Sequence, residues 1–156
     1  YTMATVGALR PAWMKPNSIH PPAFCYRWAD TERALERVGE HPGDPYDGIV
    51  LDFANPLTGG PTLPTIACQI QMLRGGEKTK SHRHTSSTIY HVWRGSGATT
   101  IGDKRYEWER GDSFVVPLWN FHCHENTSKD PAILFVMSDK PLMDAIGHYR
   151  EEAKSE

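Results

Sequence analysis

From residue 48 onward, short runs of β-prone residues alternate with turns that contain glycine or proline. The runs span 49–51, 66–73, 88–93, 97–101, 105–108, 114–116 and 132–137. Strands this short bury a core only when many of them stack in two layers. Their close and regular spacing therefore favours an antiparallel sandwich or barrel. The sequence predicts an all-β fold for most of the chain.

The other segments set the predicted domain organisation. Residues 1–28 are rich in proline and have no sustained period, so they predict an extended arm or linker. Residues 29–47 predict one short helix followed by a polar loop, because their first part has apolar residues at helical spacing. Residues 48–156 are the predicted barrel, and helical spacing over 142–152 predicts a C-terminal helix.

The charge balance excludes several classes of partner. The chain has 17 basic and 19 acidic side chains and a formal net charge of −2, which gives no basic surface for nucleic acid or anionic lipid. Its apolar runs are too short to span a membrane, and residues 1–10 lack the pattern of a secretory signal, so a cytoplasmic location is expected. The three cysteines show no CxxC spacing, which predicts reduced thiols.

Histidines are concentrated in one part of the chain. Five of the eight lie between residues 82 and 124, and four of these form two similar pairs, His82-Arg83-His84 and His122-Cys123-His124. Residues i and i+2 of a strand point to the same face, so each pair can present two imidazoles to one cavity. Imidazole binds Fe, Zn, Ni and Cu, whereas Mg and Ca prefer oxygen ligands. The pairs therefore indicate a metal site, and the alternative is a solvated edge strand that carries histidines.

Glycine and proline residues frame both histidine pairs. In residues 76–95 a glycine is followed, after five residues, by the first pair, and a second glycine closes the segment. In residues 111–126 a glycine is followed after five residues by Pro117, after four more by His122 and after three more by Asn126. This arrangement resembles the two motifs of the cupin superfamily. The resemblance implies a double-stranded β-helix, a jelly-roll barrel with a metal in its mouth.

The cupin resemblance also implies a set of ligands. The expected metal ligands are His82, His84 and His122. Two positions depart from the usual pattern, because Thr88 stands where a glutamate is usual and Trp119 where a glycine is usual. The missing glutamate favours a site of three histidines alone.

Longer phrases resemble the gentisate 1,2-dioxygenase group, which includes salicylate and 1-hydroxy-2-naphthoate dioxygenases. These phrases are NPLTGGP at 55–61, WERGDSFVVPLWNFHCHEN at 108–126 and YREE at 149–152. Members of the group are bicupins, and the phrases resemble their carboxy-terminal barrel, with the proline-rich beginning as the linker between barrels. The chain is expected to be one half of such an enzyme with a partner cupin domain, or a stand-alone relative that forms a homo-oligomer.

The resemblance implies a non-haem Fe(II)-dependent, ring-cleaving dioxygenase domain. Its substrate would be a hydroxylated aromatic carboxylate such as gentisate, with dioxygen as co-substrate. Three neutral imidazoles leave open positions at which a chelating substrate and dioxygen can lie side by side. The alternatives are a non-catalytic metal-binding or structural half of a bicupin enzyme and another small-molecule-binding cupin. Zinc, nickel and manganese stay open as alternatives to iron, since three-histidine sites accept several metals.

The resemblance and strand parity assign the remaining candidates. The resemblance gives His124 a catalytic role, in hydrogen bonding to substrate or proton transfer, and the alternative is that it holds His122 in place. The expected substrate-binding residues are Trp119 and Gln69, and a core position is the alternative for Trp119. Three residues of opposite parity are expected on the other face: Arg83, His91 and Cys123.

Overall fold

The structure, a computed structural model, describes residue 13 and residues 24–155. The predicted arm at 1–28 lies mostly outside these residues. The described part contains helices α1 (Trp28–Val38) and α2 (Lys140–Ala145), neither of which is long and apolar enough to cross a membrane. It also contains ten strands: β1 (Ile49–Asp52), β2 (Ala67–Leu73), β3 (His82–His84), β4 (Thr88–Arg94), β5 (Ser96–Ile101), β6 (Lys104–Glu109), β7 (Ser113–Val116), β8 (His122–Glu125), β9 (Ala132–Ser138) and β10 (Glu151–Ala153).

The strands form two five-stranded sheets. One sheet has the order β1-β2-β9-β4-β7 and the other the order β10-β3-β8-β5-β6. All the strand pairs of the described residues are antiparallel. Each predicted β-prone run is a strand whose ends differ by at most one residue, and the two histidine pairs lie on β3 and β8. The predicted all-β, double-sheet fold is confirmed.

The space between the sheets changes from apolar at one end to polar at the other. Along β2 the alternate residues that share one face are Leu73, Gln71 and Gln69, so this face becomes polar toward the start of the strand. The apolar end is a packed core: Leu73, Tyr90, Val92, Trp108, Val116, Ala132, Leu134 and Val136. The polar end cannot pack in this way, and it is where a cavity opens.

Helix α1 covers the outer face of the first sheet. Its buried Leu35 packs with Ile49, Ile70, Met72 and Ile133 in a second apolar cluster. Burying such side chains contributes roughly 1.5–3 kcal/mol each relative to exposure. The helix predicted at 29–38 is therefore attached to the barrel by apolar contacts, and it begins one residue earlier than predicted.

The carboxy-terminal segment differs from the predicted helix at 142–152. Helix α2 begins at Lys140 and ends at Ala145. Gly147 then has a φ of 70°, a left-handed conformation that ends helices and that glycine adopts at little cost. The next residues form β10, because the edge of β3 offers backbone groups that need partners. The helix prediction is wrong for residues 146–152.

Candidate metal centre

The three expected metal ligands meet at the polar end of the space between the sheets. His82 on β3 lies opposite His122 on β8, and His84 follows two residues later on the same face. The ring centroids are 4.5 Å apart for His82 and His122, and 5.0 Å apart for His84 and His122. One ring nitrogen from each histidine lies within 4.8 Å of the other two. This spacing could hold one metal ion.

Hydrogen bonds fix the orientation of all three rings through Nδ1. The Nδ1 atoms lie 3.2 Å from Oε1 of Glu151 for His82, 2.8 Å from the Ser86 carbonyl oxygen for His84, and 3.0 Å from the Asn120 carbonyl oxygen for His122. The Nε2 atoms of His82 and His122 are buried and have no hydrogen-bond partner among the described residues. Buried polar atoms without partners are costly, and a metal ion would satisfy these two. The donor set therefore fits a metal that imidazole binds well.

Burial keeps two of the clustered histidines in the form that can bind metal. Desolvation lowers the pKa of His122 to about 3, and it also lowers the pKa of His84. Both imidazoles are therefore neutral at pH 7. Metal binding at this pH does not have to displace a proton from either ring.

A cavity of about 340 Å³ opens beside the three-histidine cluster. Its size is within the range of sites for small molecules. The sheet opposite the histidines contributes several lining residues: Gln69, Gln71, Thr88, Tyr90, Val136 and Ser138. Thr88, at the position of the missing glutamate, is buried and adds no charge to this wall.

Acidic groups outnumber basic groups around the cavity. Its described lining has four carboxylates and one amine: Asp44, Asp47, Asp52, Glu151 and Lys140. Oδ1 of Asp47 lies 3.7 Å from Nε2 of His82. Burial raises the pKa of Asp47 to about 6, although the nearby His82 acts in the opposite direction. A negatively charged lining favours a cation at the histidine cluster.

Comparisons with known proteins agree with this geometry. Residues 69–138, which include β3 and β8, match the family model described as a cupin domain. The chain contains a cupin domain. It is related to the gentisate, salicylate and 1-hydroxy-2-naphthoate 1,2-dioxygenases.

The relatives of the cupin domain are longer proteins. The chain is 44% identical over 151 residues to a 5-aminosalicylate 1,2-dioxygenase of Comamonas sp, and the match covers 95% of the chain and 40% of the relative. It is 36% identical over 152 residues to a gentisate 1,2-dioxygenase of Aquipseudomonas alcaligenes, and this match covers 96% of the chain and 43% of the relative. The structure of salicylate 1,2-dioxygenase from Pseudoaminobacter salicylatoxidans with gentisate superposes with a TM-score of 0.77 at 30% identity, and the match covers 97% of this chain and 42% of that one. The chain therefore spans about two fifths of the length of these relatives.

His124 lies deeper in the cupin domain than the three clustered histidines. It is fully buried, its ring centroid is 5.6 Å from that of His122, and it is not among the described residues that line the cavity. Its Nδ1 is 2.9 Å from Oγ1 of Thr99, and the same hydroxyl oxygen accepts a hydrogen bond from Nε1 of Trp108. Burial holds the pKa of His124 well below its ordinary value. These contacts hold a neutral ring against His122 of the three-histidine cluster, and the catalytic role of His124 stays a prediction.

The two residues expected to bind substrate lie in different places. Gln69 lines the cavity, and its amide donates to Oδ1 of Asp52 at 2.8 Å. Trp119 is half-exposed and does not line the cavity within the described residues. The Arg83 guanidinium lies over its ring, 4.3 Å from the centroid. This cation–π contact lies on the outer side of β3, and the substrate-binding role of Trp119 stays a prediction.

The residues of opposite parity lie away from the cluster. Arg83 pairs with Glu152 at 2.7 Å on the outer side of β3. His91 lies on the other sheet, where its Nδ1 is 2.9 Å from Oγ of Ser113. Strand parity therefore predicted correctly which side of the sheet Arg83 and His91 take.

Sequence reasoning missed the charged and aromatic groups that surround His82. The ring of Tyr46 stacks on that of His82, with centroids 5.2 Å apart and an interplanar angle of 12°. Asp47 comes from the same loop, and Tyr149 and Glu151 come from the carboxy-terminal segment. The YREE phrase contained a usable signal, because Tyr149 and Glu151 are separated by the i, i+2 spacing of a strand.

Proposed function

We propose that this cupin domain is an Fe(II)-dependent ring-cleaving dioxygenase domain that acts on a hydroxylated aromatic carboxylate such as gentisate. The observation that carries the proposal is the buried cluster of His82, His84 and His122 beside a cavity, in a relative of dioxygenases of this kind. The proposed ligands of Fe(II) are the three Nε2 atoms, since every Nδ1 already has a partner. The reaction would consume one dioxygen per ring, and both oxygen atoms would enter the ring-opened acid.

The metal and the residues that line the cavity would have different roles in catalysis. When bound, Fe(II) supplies open coordination positions at which the substrate and dioxygen lie next to each other. Tyr90 and Val136 would contact the faces of an aromatic ring in the cavity. Lys140 would pair with the substrate carboxylate, because it is the one amine in the described lining. Gln69, held by Asp52, would donate to or accept from a ring substituent.

A second candidate function is a metal-binding half that does not catalyse the reaction. The observation that favours it is the acidic lining, since four carboxylates against one amine repel an anionic substrate unless a metal ion compensates. In this case the ring-cleaving site would lie in a partner cupin domain. The cupin domain would contribute to folding and assembly, as a homo-oligomer or within a longer chain.

Anaerobic reconstitution tests the first proposal. The purified chain is loaded with Fe(II), and oxygen uptake and new ring-fission absorbance are followed with gentisate, salicylate, 5-aminosalicylate and 1-hydroxy-2-naphthoate. We expect one oxygen consumed per substrate molecule with at least one of these acids. Stoichiometric iron without oxygen uptake on any of them would contradict dioxygenase activity and favour the second candidate.

Metal analysis of two variants tests the site itself. His82→Ala removes a proposed ligand, whereas His91→Ala removes a histidine of the same region that bonds to Ser113 away from the cavity. We expect His82→Ala to lose bound iron and His91→Ala to keep it. Equal occupancy in the two variants would show that His82 is not a ligand.

A further inference from the structure

The carboxy-terminal strand is attached directly to the strand that carries two of the proposed ligands. In the β10–β3 pair, Glu151 lies opposite His84, Glu152 opposite Arg83, and Ala153 opposite His82. Backbone hydrogen bonds extend the pair at both ends, from Thr85 to the Arg150 carbonyl at 3.0 Å and from Lys154 to the Ser81 carbonyl at 2.9 Å. This register fixes where the side chains of β10 can reach.

Neighbouring glutamates on β10 point to opposite sides. Oε1 of Glu151 is 3.2 Å from Nδ1 of His82, and Oε2 accepts a hydrogen bond from the Tyr149 hydroxyl at 3.0 Å. Glu152 instead accepts two hydrogen bonds from the Arg83 guanidinium, at 2.9 and 2.7 Å, on the outer side. Only the first of these two carboxylates touches a proposed ligand.

His82 differs from the other two clustered histidines in what holds its ring. His84 and His122 are held by carbonyl oxygens two residues away in their own segments, at Ser86 and Asn120. His82 is held by a side chain that is 69 residues away in sequence. The orientation of His82 therefore depends on the docking of the carboxy-terminal segment.

We propose that Glu151 is a positioning residue of the metal centre and that β10 thereby completes the site. Its carboxylate accepts the Nδ1–H of His82, which keeps the proton on Nδ1 and leaves the Nε2 lone pair free for the metal. The Tyr149 hydroxyl holds the second carboxylate oxygen, so the group keeps one orientation. Carboxylates that accept from a ligating histidine fix its tautomer and make it a stronger donor. The inference rests on metal binding by the three-histidine cluster and does not require ring cleavage.

Two pairs of matched variants test this role. Glu151→Ala removes the carboxylate that faces His82, and Glu152→Ala removes its neighbour on the other side of the same strand. Glu151→Gln keeps a neutral acceptor, and Tyr149→Phe keeps the carboxylate but removes its hydrogen bond. Fe(II) affinity is measured anaerobically on the full chain by competition with a chromophoric chelator.

We expect graded losses of affinity. Glu151→Ala should bind Fe(II) about 10–100-fold more weakly than the parent, the range found when such outer partners are removed. Glu151→Gln should recover part of this loss, Tyr149→Phe should show a smaller loss than Glu151→Ala, and Glu152→Ala should match the parent. Equal affinity for Glu151→Ala and Glu152→Ala would overturn the proposal.

A readout without metal separates the positioning role from simple damage to the fold. Long-range ¹H–¹⁵N correlation spectra of the metal-free chain report which nitrogen of each histidine carries the proton. We expect an Nδ1–H tautomer for His82 in the parent and in Glu152→Ala, and a shift toward Nε2–H in Glu151→Ala. The spectra of His84 and His122 should not change. An unchanged His82 tautomer in Glu151→Ala would contradict the proposal, whether or not the chain binds iron or consumes oxygen.

Discussion

Oδ1 of Asp47 lies 3.7 Å from Nε2 of His82, on the nitrogen that faces the proposed metal position. The Asp47 carboxylate accepts no hydrogen bond from the described residues, and burial raises its pKa to about 6. In the metal-free chain its charge is poorly compensated. A bound cation would change this, because it places a positive charge next to the carboxylate.

Asp47→Asn should therefore stabilise the metal-free chain and weaken its response to metal. The pKa of Asp47 is higher in the folded than in the unfolded chain. The protonated side chain therefore stabilises the folded chain fully below pH 4, and this stabilisation is lost as the pH rises through 6. At pH 7.5 the substitution should raise the free energy of unfolding by on the order of 1 kcal/mol, after allowance for partial exposure of the carboxylate. Urea unfolding at pH 5 and pH 7.5 measures the difference.

The matched control for this prediction is Asp52→Asn, another carboxylate of the cavity lining, which keeps an acceptor for Gln69. It should leave the unfolding free energy at pH 7.5 within about 0.5 kcal/mol of the parent. Added Fe(II) should stabilise the parent more than it stabilises Asp47→Asn. An Asp47→Asn chain that is less stable than the parent without metal would contradict the assigned charge.

The buried histidines should make the metal-free chain sensitive to acid. Burial lowers the pKa of His84, His122 and His124, so they remain neutral in the folded chain where the unfolded chain binds protons. The stabilisation that these neutral rings give to the folded chain is complete above pH 6.5 and is lost as the pH falls below that value. Asp47 has the opposite effect on the pH dependence of stability, because the folded chain holds its proton more tightly. It involves one proton, whereas the histidines involve three.

Near pH 5.5 the unfolded chain should accordingly bind at least one more proton than the folded chain. The free energy of unfolding should then fall by at least about 1.4 kcal/mol per unit of pH, the slope for one proton. Denaturant titrations of the metal-free chain between pH 5 and pH 7.5 test this. A flat profile over this range would show that the three rings are protonated in the folded chain.

Strand parity and the resemblance to the cupin motifs together predicted which histidines lie close to one another. Strand parity placed His82 and His84 on the inner side and Arg83 on the outer side, because the side-chain period of a strand is fixed by its backbone. The spacing of glycines located both motifs, and these became β3 and β8. The side of the strand on which a residue lies could therefore be predicted from the sequence alone.

Residues that reach the site from distant segments could not be predicted in this way. Glu151 meets His82 only because β10 pairs with β3, and the same stretch has apolar residues at helical spacing. Spacing also could not show that the Trp119 indole packs under Arg83, outside the described cavity lining, and its substrate-binding role stays a prediction. Its φ of 59° is a conformation that favours glycine, which agrees with the glycine expected at this position.

Gly97 should be essential for the close approach of β5 to β8, the strand that carries His122 and His124. A Cβ at this position would lie 2.3 Å from the Glu125 carbonyl oxygen and 2.5 Å from the ring of Trp108. Gly97→Ala should destabilise the chain by about 1–3 kcal/mol, the usual cost of overpacking. Gly60→Ala is the control, since its nearest contact would be the Thr58 hydroxyl at 3.4 Å. Thermal or urea unfolding that fails to separate the two variants would contradict this packing.

Gln69 and Trp119 should differ in their effect on substrate binding, if the domain cleaves aromatic acids. Gln69→Ala changes a cavity wall and leaves Asp52 without its partner, so KM for the active acid should rise by several-fold, the effect of losing one hydrogen bond of about 1 kcal/mol. Trp119→Phe keeps an aromatic ring for Arg83 on the outer surface and should leave both KM and kcat close to the parent values. Steady-state oxygen uptake by the two iron-loaded variants measures both constants. A larger rise in KM for Trp119→Phe than for Gln69→Ala would show that the indole, and not the amide, contacts the substrate.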